Sequence, residues 1–89
     1  MNQHARHPEI LLRLKRASGH LTKVIAMIEA EESCERVAQQ LQAVTSALLT
    51  AKRNYVTDHI ENCLEVQEGM TSGEIAEQLS ELKAMTKYL

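Results

Sequence analysis

The chain is short, nearly neutral and poor in aromatic residues: it has 89 residues, a formal net charge of −2, two Tyr and neither Phe nor Trp. A chain of this length forms one domain at most, and a single copy can bury only a thin core. A core of Leu, Ile, Val, Ala and Met suits interdigitating helices better than a sandwich, which favours an all-α fold. Since there is neither a signal-peptide core nor an apolar run of 18 residues, we expect a cytoplasmic protein that has no contact with a membrane.

The first helix is predicted to begin at Pro8, with residues 1–7 forming a flexible arm of the single domain 1–89. Proline at the first helical position followed by the acid Glu9 is a helix-start signal. Apolar residues then recur every seven positions, as in a helix that packs along another helix. They form two lines, Ile10–Ala17–Val24 and Leu14–Leu21–Ile28.

The second helix is predicted from Cys34 to about Leu64, after a turn in which Ser33 caps it. This stretch contains neither Gly nor Pro, and its apolar residues recur at spacings of three and four. The stripe consists of Val37, Leu41, Val44, Leu48, Ala51 and Tyr55. We therefore expect a helix of about thirty residues.

A third, shorter helix is predicted after the glycines of "EGMTSGE", where Thr71 and Glu74 match a capping box. The protomer is thus expected to have two long antiparallel helices and a short third one. Such helices cannot bury all their apolar stripes within one small chain, so we expect oligomerisation.

His59 and Cys63 are four residues apart, which places both on one helix face at about 6 Å. Cys34 lies 29 residues before Cys63 in the same predicted helix, roughly 43 Å away at about 1.5 Å per residue. It cannot join them within one chain. Two copies of this helix packed antiparallel would bring Cys34 of one chain beside His59 and Cys63 of the other, and the spacing therefore predicts an intersubunit metal site.

Two thiolates and an imidazole suit Cu(I), which accepts three ligands, whereas Zn(II) or Ni(II) would need a further donor. His4 and His7 in the N-terminal arm are candidates for that donor. The plainer alternative is that the two cysteines are inert small residues near helix ends and His59 a surface histidine.

Basic residues form a strip on the first helix at Arg13, Arg16, His20 and Lys23, and Lys52 and Arg53 form a basic pair on the second. Repeated by symmetry, these side chains could meet the phosphates of nucleic acid. A solvated helix flank is the alternative interpretation, since no helix-turn-helix, zinc-finger or basic-zipper pattern is present.

Three segments, "RLKRASGHL" at 13–21, "CERVAQQLQAVTSAL" at 34–48 and "DHIENC" at 58–63, together resemble the CsoR/RcnR family of bacterial transcriptional repressors. The resemblance implies an antiparallel helical-bundle dimer, a dimer-of-dimers tetramer, and a repressor that binds operator DNA when apo and is released by its inducer. It also implies that the basic residues meet DNA, with Lys15 and Lys23 beside Arg13, Arg16, Lys52 and Arg53.

Cys34, His59 and Cys63 resemble the ligand set of the family's Cu(I) sensors. Those sensors place a Tyr where this chain has Ser33, and a Glu on the third helix, for which Glu77 and Glu81 are the candidates. A Ni(II) or Co(II) sensor is the alternative within the family, although Asn2 stands where the nickel sensors have a histidine. Formaldehyde and persulfide sensors of the family use the equivalent of Cys34, but usually lack the second cysteine or the histidine.

Outside the family, a helical metal chaperone that never touches DNA is the rival hypothesis. An enzyme is not expected, because no nucleophile with a base and an orienting acid emerges from the pattern.

Overall fold

The computed structural model describes residues 7–65 and 67–89, with only the backbone of Cys63. It contains the helices α1 (Pro8–Glu29), α2 (Cys34–Cys63) and α3 (Ser72–Thr86), and no strand among the described residues. The all-α prediction is confirmed. No helix in this part of the chain is both long and apolar enough to cross a membrane.

α1 begins and ends with residues in the left-handed backbone region. Pro8 opens the helix as predicted, after His7 at φ 36°. At the other end, the N–H groups of Glu31 and Glu32 donate to the carbonyls of Ile28 and Met27, the paired bonds of a Schellman motif. Glu31, at φ 58°, occupies the position where glycine is usual.

The chain divides into two compact units, with the boundary inside α2 between Lys52 and Arg53. In the first unit, Arg6–Lys52, α1 and the first part of α2 form a helical hairpin. A hydrogen bond of 2.6 Å joins His20 Nε2 on α1 to Gln40 Oε1 on α2. Its buried residues are Ala17, Val24, Met27, Val44 and Ala51.

Only half of each apolar stripe is buried in the chain. On α1, Ala17 and Val24 are buried, whereas the second line, Leu14–Leu21–Ile28, is exposed. On α2 the buried residues alternate with an exposed line of the same seven-residue spacing, Leu41–Leu48–Tyr55. On each helix, one chain therefore buries one line of apolar residues and leaves a neighbouring line exposed to solvent. We call these two exposed lines the exposed seams.

α2 is capped by Ser33, as predicted, because Ser33 Oγ accepts a hydrogen bond of 3.2 Å from the backbone N–H of Arg36. The helix runs unbroken for 30 residues to Cys63, one residue short of its predicted end. Cys34 and Cys63 consequently occupy its first and last positions.

In the second unit, Arg53–Leu89, α3 accompanies the end of α2. The predicted capping box is present: Glu74 N–H donates to Thr71 Oγ1, and Thr71 N–H donates to Glu74 Oε1. Val56 of α2 is buried in this unit. On α3, the half-buried side chains recur at helical spacing, at Ile75, Gln78, Leu82 and Met85.

Candidate metal centre

Cys34 is the first residue of α2, and its thiol is free and exposed. Arg36, two positions further, pairs with Glu32 at 2.9 Å, from Nε to Oε1. Both side chains are accessible to solvent, at 63% for Arg36 and 37% for Glu32, so this pair adds little stability. Cys34 is accordingly a thiol open to an incoming ion or to a second chain.

His59 lies near the other end of α2, in contact with α3. Its side chain is 16% exposed, and its Nε2 atom is 3.2 Å from Glu81 Oε2. The same Nε2 is buried and has no hydrogen-bond partner. The carboxylate is therefore within ion-pair distance but off the direction that a hydrogen bond requires.

An orphaned buried ring nitrogen is costly unless a ligand or a small rearrangement satisfies it. A ligating histidine usually donates its other ring N–H to a carboxylate, which fixes the tautomer and the ring orientation. Glu81 is placed for that role. The free thiol of Cys34 and the imidazole of His59 both fit the donor chemistry of a soft metal ion.

The structure describes the remaining residues predicted for the metal site only in part. Glu77 is exposed on α3, and His7 is half-buried before α1. His4 and the side chain of Cys63 lie outside the described residues. Among the side chains that the structure does describe, no three His, Cys, Asp or Glu come together as a metal site.

The six basic residues predicted to meet DNA are all exposed. Four belong to α1, and two stand side by side in α2. They are Arg13, Lys15, Arg16, Lys23, Lys52 and Arg53. His20, on the same strip of α1, is instead half-buried through its bond to Gln40.

Sequence reasoning missed one residue that acts on this end of α2. Gln78 Nε2 on α3 donates to the backbone carbonyl of Glu65 at 2.6 Å and lies 3.5 Å from that of Asn62. The only signal in the sequence is its position at the helical spacing of Ile75 and Leu82. A polar residue on an otherwise apolar face indicates a buried partner, but not which one.

The described part of the chain thus has three helices, with a thiol at the start of the longest one and an imidazole near its other end. The model of the "Metal-sensitive transcriptional repressor" family matches residues 6–88, so the chain belongs to this family.

Similar proteins include copper-sensing transcriptional repressors CsoR. That of Mycobacterium ulcerans (strain Agy99) is 39% identical over 75 residues, which cover 82% of this chain and 64% of the relative. That of Mycobacterium tuberculosis (strain ATCC 25618 / H37Rv) is 35% identical, and 63% of it is covered. The chain thus spans less than two thirds of the length of these relatives.

A similar solved structure is that of the nickel-responsive transcriptional regulator InrS. It is 30% identical to this chain, with a TM-score of 0.72, and the match covers 91% of this chain and 90% of that one. The three-helix arrangement is therefore that of a known metal-responsive regulator.

Proposed function

We propose that this protein is a Cu(I)-responsive repressor, which binds operator DNA when metal-free and releases it when Cu(I) binds between two chains. The observation that carries the proposal is the pair of donors at opposite ends of α2, the exposed thiol of Cys34 and the imidazole of His59, which Glu81 approaches at Nε2. Similarity to copper-sensing repressors supports the choice of metal.

The site needs a second chain because α2 is a continuous helix with Cys34 at its first residue and Cys63 at its last. The exposed seams supply a reason for that chain to be there. Leu14, Leu21 and Leu48 are each about two-fifths exposed, which leaves an apolar stripe on both helices of the hairpin. Two copies packed antiparallel along these stripes form a four-helix bundle, and two such dimers would give the tetramer.

Each site then takes Cys34 from one chain and His59 with Cys63 from the other. Because Nε2 of His59 faces Glu81, Nδ1 is the ring nitrogen that would bind the ion. A turn of the Glu81 carboxylate toward the Nε2 proton would let it accept that proton in a hydrogen bond. Two thiolates and one imidazole favour Cu(I), which accepts three soft ligands.

The exposed basic residues of α1 and α2 form the DNA-binding surface in this proposal. Lysine and arginine contacts to phosphate supply affinity rather than sequence information. When Cys34 of one chain and His59 of the other share an ion, the two chains are fixed in an arrangement that binds DNA less well. Such coupling is reciprocal, so DNA should weaken metal binding by the same factor.

Ni(II) is the second candidate, favoured by the similarity to the nickel-responsive InrS. Ni(II) would need a donor beyond the Cys-His-Cys set, and His7 or His4 would have to supply it.

The test is an anaerobic titration of the metal-free protein on fluorescent DNA from the region upstream of its gene. We expect Cu(I) to release the DNA at one ion per chain, and the Cys34→Ala variant to bind the DNA but to stay bound when Cu(I) is added. If Ni(II) releases the DNA and Cu(I) does not, nickel is the inducer. A metal-free protein that never binds the DNA, at low salt and high concentration, would refute the repressor assignment and favour a metal chaperone.

A further inference from the structure

The carboxyl end of α2 is closed by a side chain from another helix. Leu64 N–H donates to the carbonyls of Ile60 and Glu61, and Glu65 N–H donates to that of Asn62 at 3.3 Å, so the last turn is tightened. The last turn of α2 contains no basic residue that could satisfy the remaining carbonyls. Carbonyl groups at a helix end have no partner within the helix and need one from elsewhere.

Gln78 adds a donor from α3 to the turn that ends α2, beside the backbone bond that the Asn62 carbonyl already accepts from Glu65 N–H, and we call this contact the cap. Its amide nitrogen is 2.6 Å from the carbonyl oxygen of Glu65 and 3.5 Å from that of Asn62. These two carbonyls stand on either side of Cys63 in the sequence. One amide group thus bridges the backbone that carries the cysteine.

α3 contacts the end of α2 at a second point, one turn further along. Glu81 follows Gln78 by three residues, which places both on one face of α3, and it contacts His59. The capping box of Thr71 and Glu74 fixes the start of the same helix. α3 therefore contacts, at two points, the segment that bears two of the three proposed ligands.

We propose that Gln78 is a positioning residue for the metal site: it caps the end of α2 and thereby holds the backbone of Cys63 for ligation, without contacting the ion. The inference rests on the proposed function, because that assignment makes Cys63 a ligand. Without the cap, the last turn of α2 frays, and binding must first order it. Outer groups that orient ligands typically change metal affinity by about 10–100-fold, and we expect about ten-fold here.

Two substitutions separate a donor role from a packing role. Gln78→Glu keeps the shape of the side chain but has no N–H to donate and places a negative charge at a helix carboxyl end, where it is unfavourable. Gln78→Lys changes the shape but keeps N–H donors and adds a favourable positive charge. If Gln78 acts as a hydrogen-bond donor, Gln78→Glu should impair the metal site and Gln78→Lys should not. If Gln78 acts through the shape of its side chain, Gln78→Lys should impair the site more than Gln78→Glu.

The first measurement needs no metal. Backbone hydrogen exchange in the metal-free protein should accelerate at Leu64 and Glu65 by about ten-fold in Gln78→Glu, and stay within about two-fold of the native rate in Gln78→Lys, since removing a hydrogen bond of this kind changes the opening equilibrium by about one power of ten. If Leu64 and Glu65 exchange at the same rate in the two variants, the cap by Gln78 is wrong.

The second measurement is Cu(I) affinity, by competition with a chromophoric chelator. We expect about ten-fold weaker binding in Gln78→Glu, near-native binding in Gln78→Lys, and native binding in Ser80→Ala, an exposed control on α3. If Gln78→Glu frays the helix but binds Cu(I) normally, the positioning role is wrong. If the native protein and Cys34→Ala bind Cu(I) alike, the proposed site itself fails, while the exchange result still decides on the cap.

Discussion

The exposed seam of α1 leads to a quantitative prediction about assembly. Leu21 lies on the line Leu14–Leu21–Ile28 and is 41% exposed in one chain, whereas Leu12 is 49% exposed but lies about 200° round the same helix from Leu14. Both are leucines of α1 with similar exposure. They differ in whether a second chain packed along the seam would cover them.

Full burial of a leucine side chain contributes about 2.5 kcal/mol, so covering the exposed two-fifths of Leu21 contributes about 1 kcal/mol per chain. Two-fold symmetry doubles this to about 2 kcal/mol for the dimer, which corresponds to a roughly 30-fold change in its dissociation constant. We therefore expect Leu21→Ala to weaken the dimer by about that factor, and Leu12→Ala to weaken it by less than about three-fold.

Sedimentation of the metal-free protein over a dilution series measures both dissociation constants. Helical content of each variant at high concentration should match that of the native chain, which separates a defect in association from a defect in folding. Equal weakening by the two substitutions, or a native protein that is monomeric throughout, would refute the reasoning from the exposed seam.

Three further predictions concern other parts of the molecule. Glu31→Gly should raise the free energy of unfolding, measured by chemical denaturation, by about 0.5–1 kcal/mol. The reason is that the strain of a non-glycine residue in the left-handed region exceeds the conformational entropy that glycine loses on folding. Ala30→Gly, at φ −83°, relieves no such strain and should lower the free energy of unfolding. Arg16→Ala should reduce the salt dependence of DNA affinity by about one unit of slope for each phosphate that the arginine neutralises, and a native slope would remove Arg16 from the interface. Cu(I) affinity measured across pH should fall as pH falls, because protons compete for the thiolates and the imidazole, and an affinity independent of pH would contradict this ligand set.

The helices could be predicted from the sequence because their signals are local. Pro8 opens α1, Ser33 caps α2, and Thr71 with Glu74 forms the capping box of α3, each within a few residues of the boundary that it marks. The seven-residue lines are also visible in the sequence. Only the structure shows that Val24 faces the inside of the chain while Leu21 does not.

The contacts between helices could not be predicted in this way. Glu81 lies 3.2 Å from His59, a contact that spacing could not predict because Glu77, four residues earlier, is on the same face of α3. The cap by Gln78 joins atoms that are 13 and 16 residues apart in sequence. Glu31 has a left-handed backbone conformation that usually requires glycine, so the sequence had no helix-stop residue to mark the end of α1.

The donor set at the ends of α2 remains a prediction about two chains, and a mixing experiment tests it most directly. One variant carries Cys34→Ala, and the other carries His59→Ala with Cys63→Ala, so that neither can build a site from identical chains. A mixed antiparallel dimer contains one intact site, made of Cys34 from one chain and His59 with Cys63 from the other.

After the two variants are mixed in equal amounts and allowed to exchange, we expect tight Cu(I) binding to appear at about one ion for every four chains, although each variant alone binds none tightly. No recovery of tight binding, in a mixture that mass spectrometry shows to contain mixed dimers, would contradict the intersubunit site.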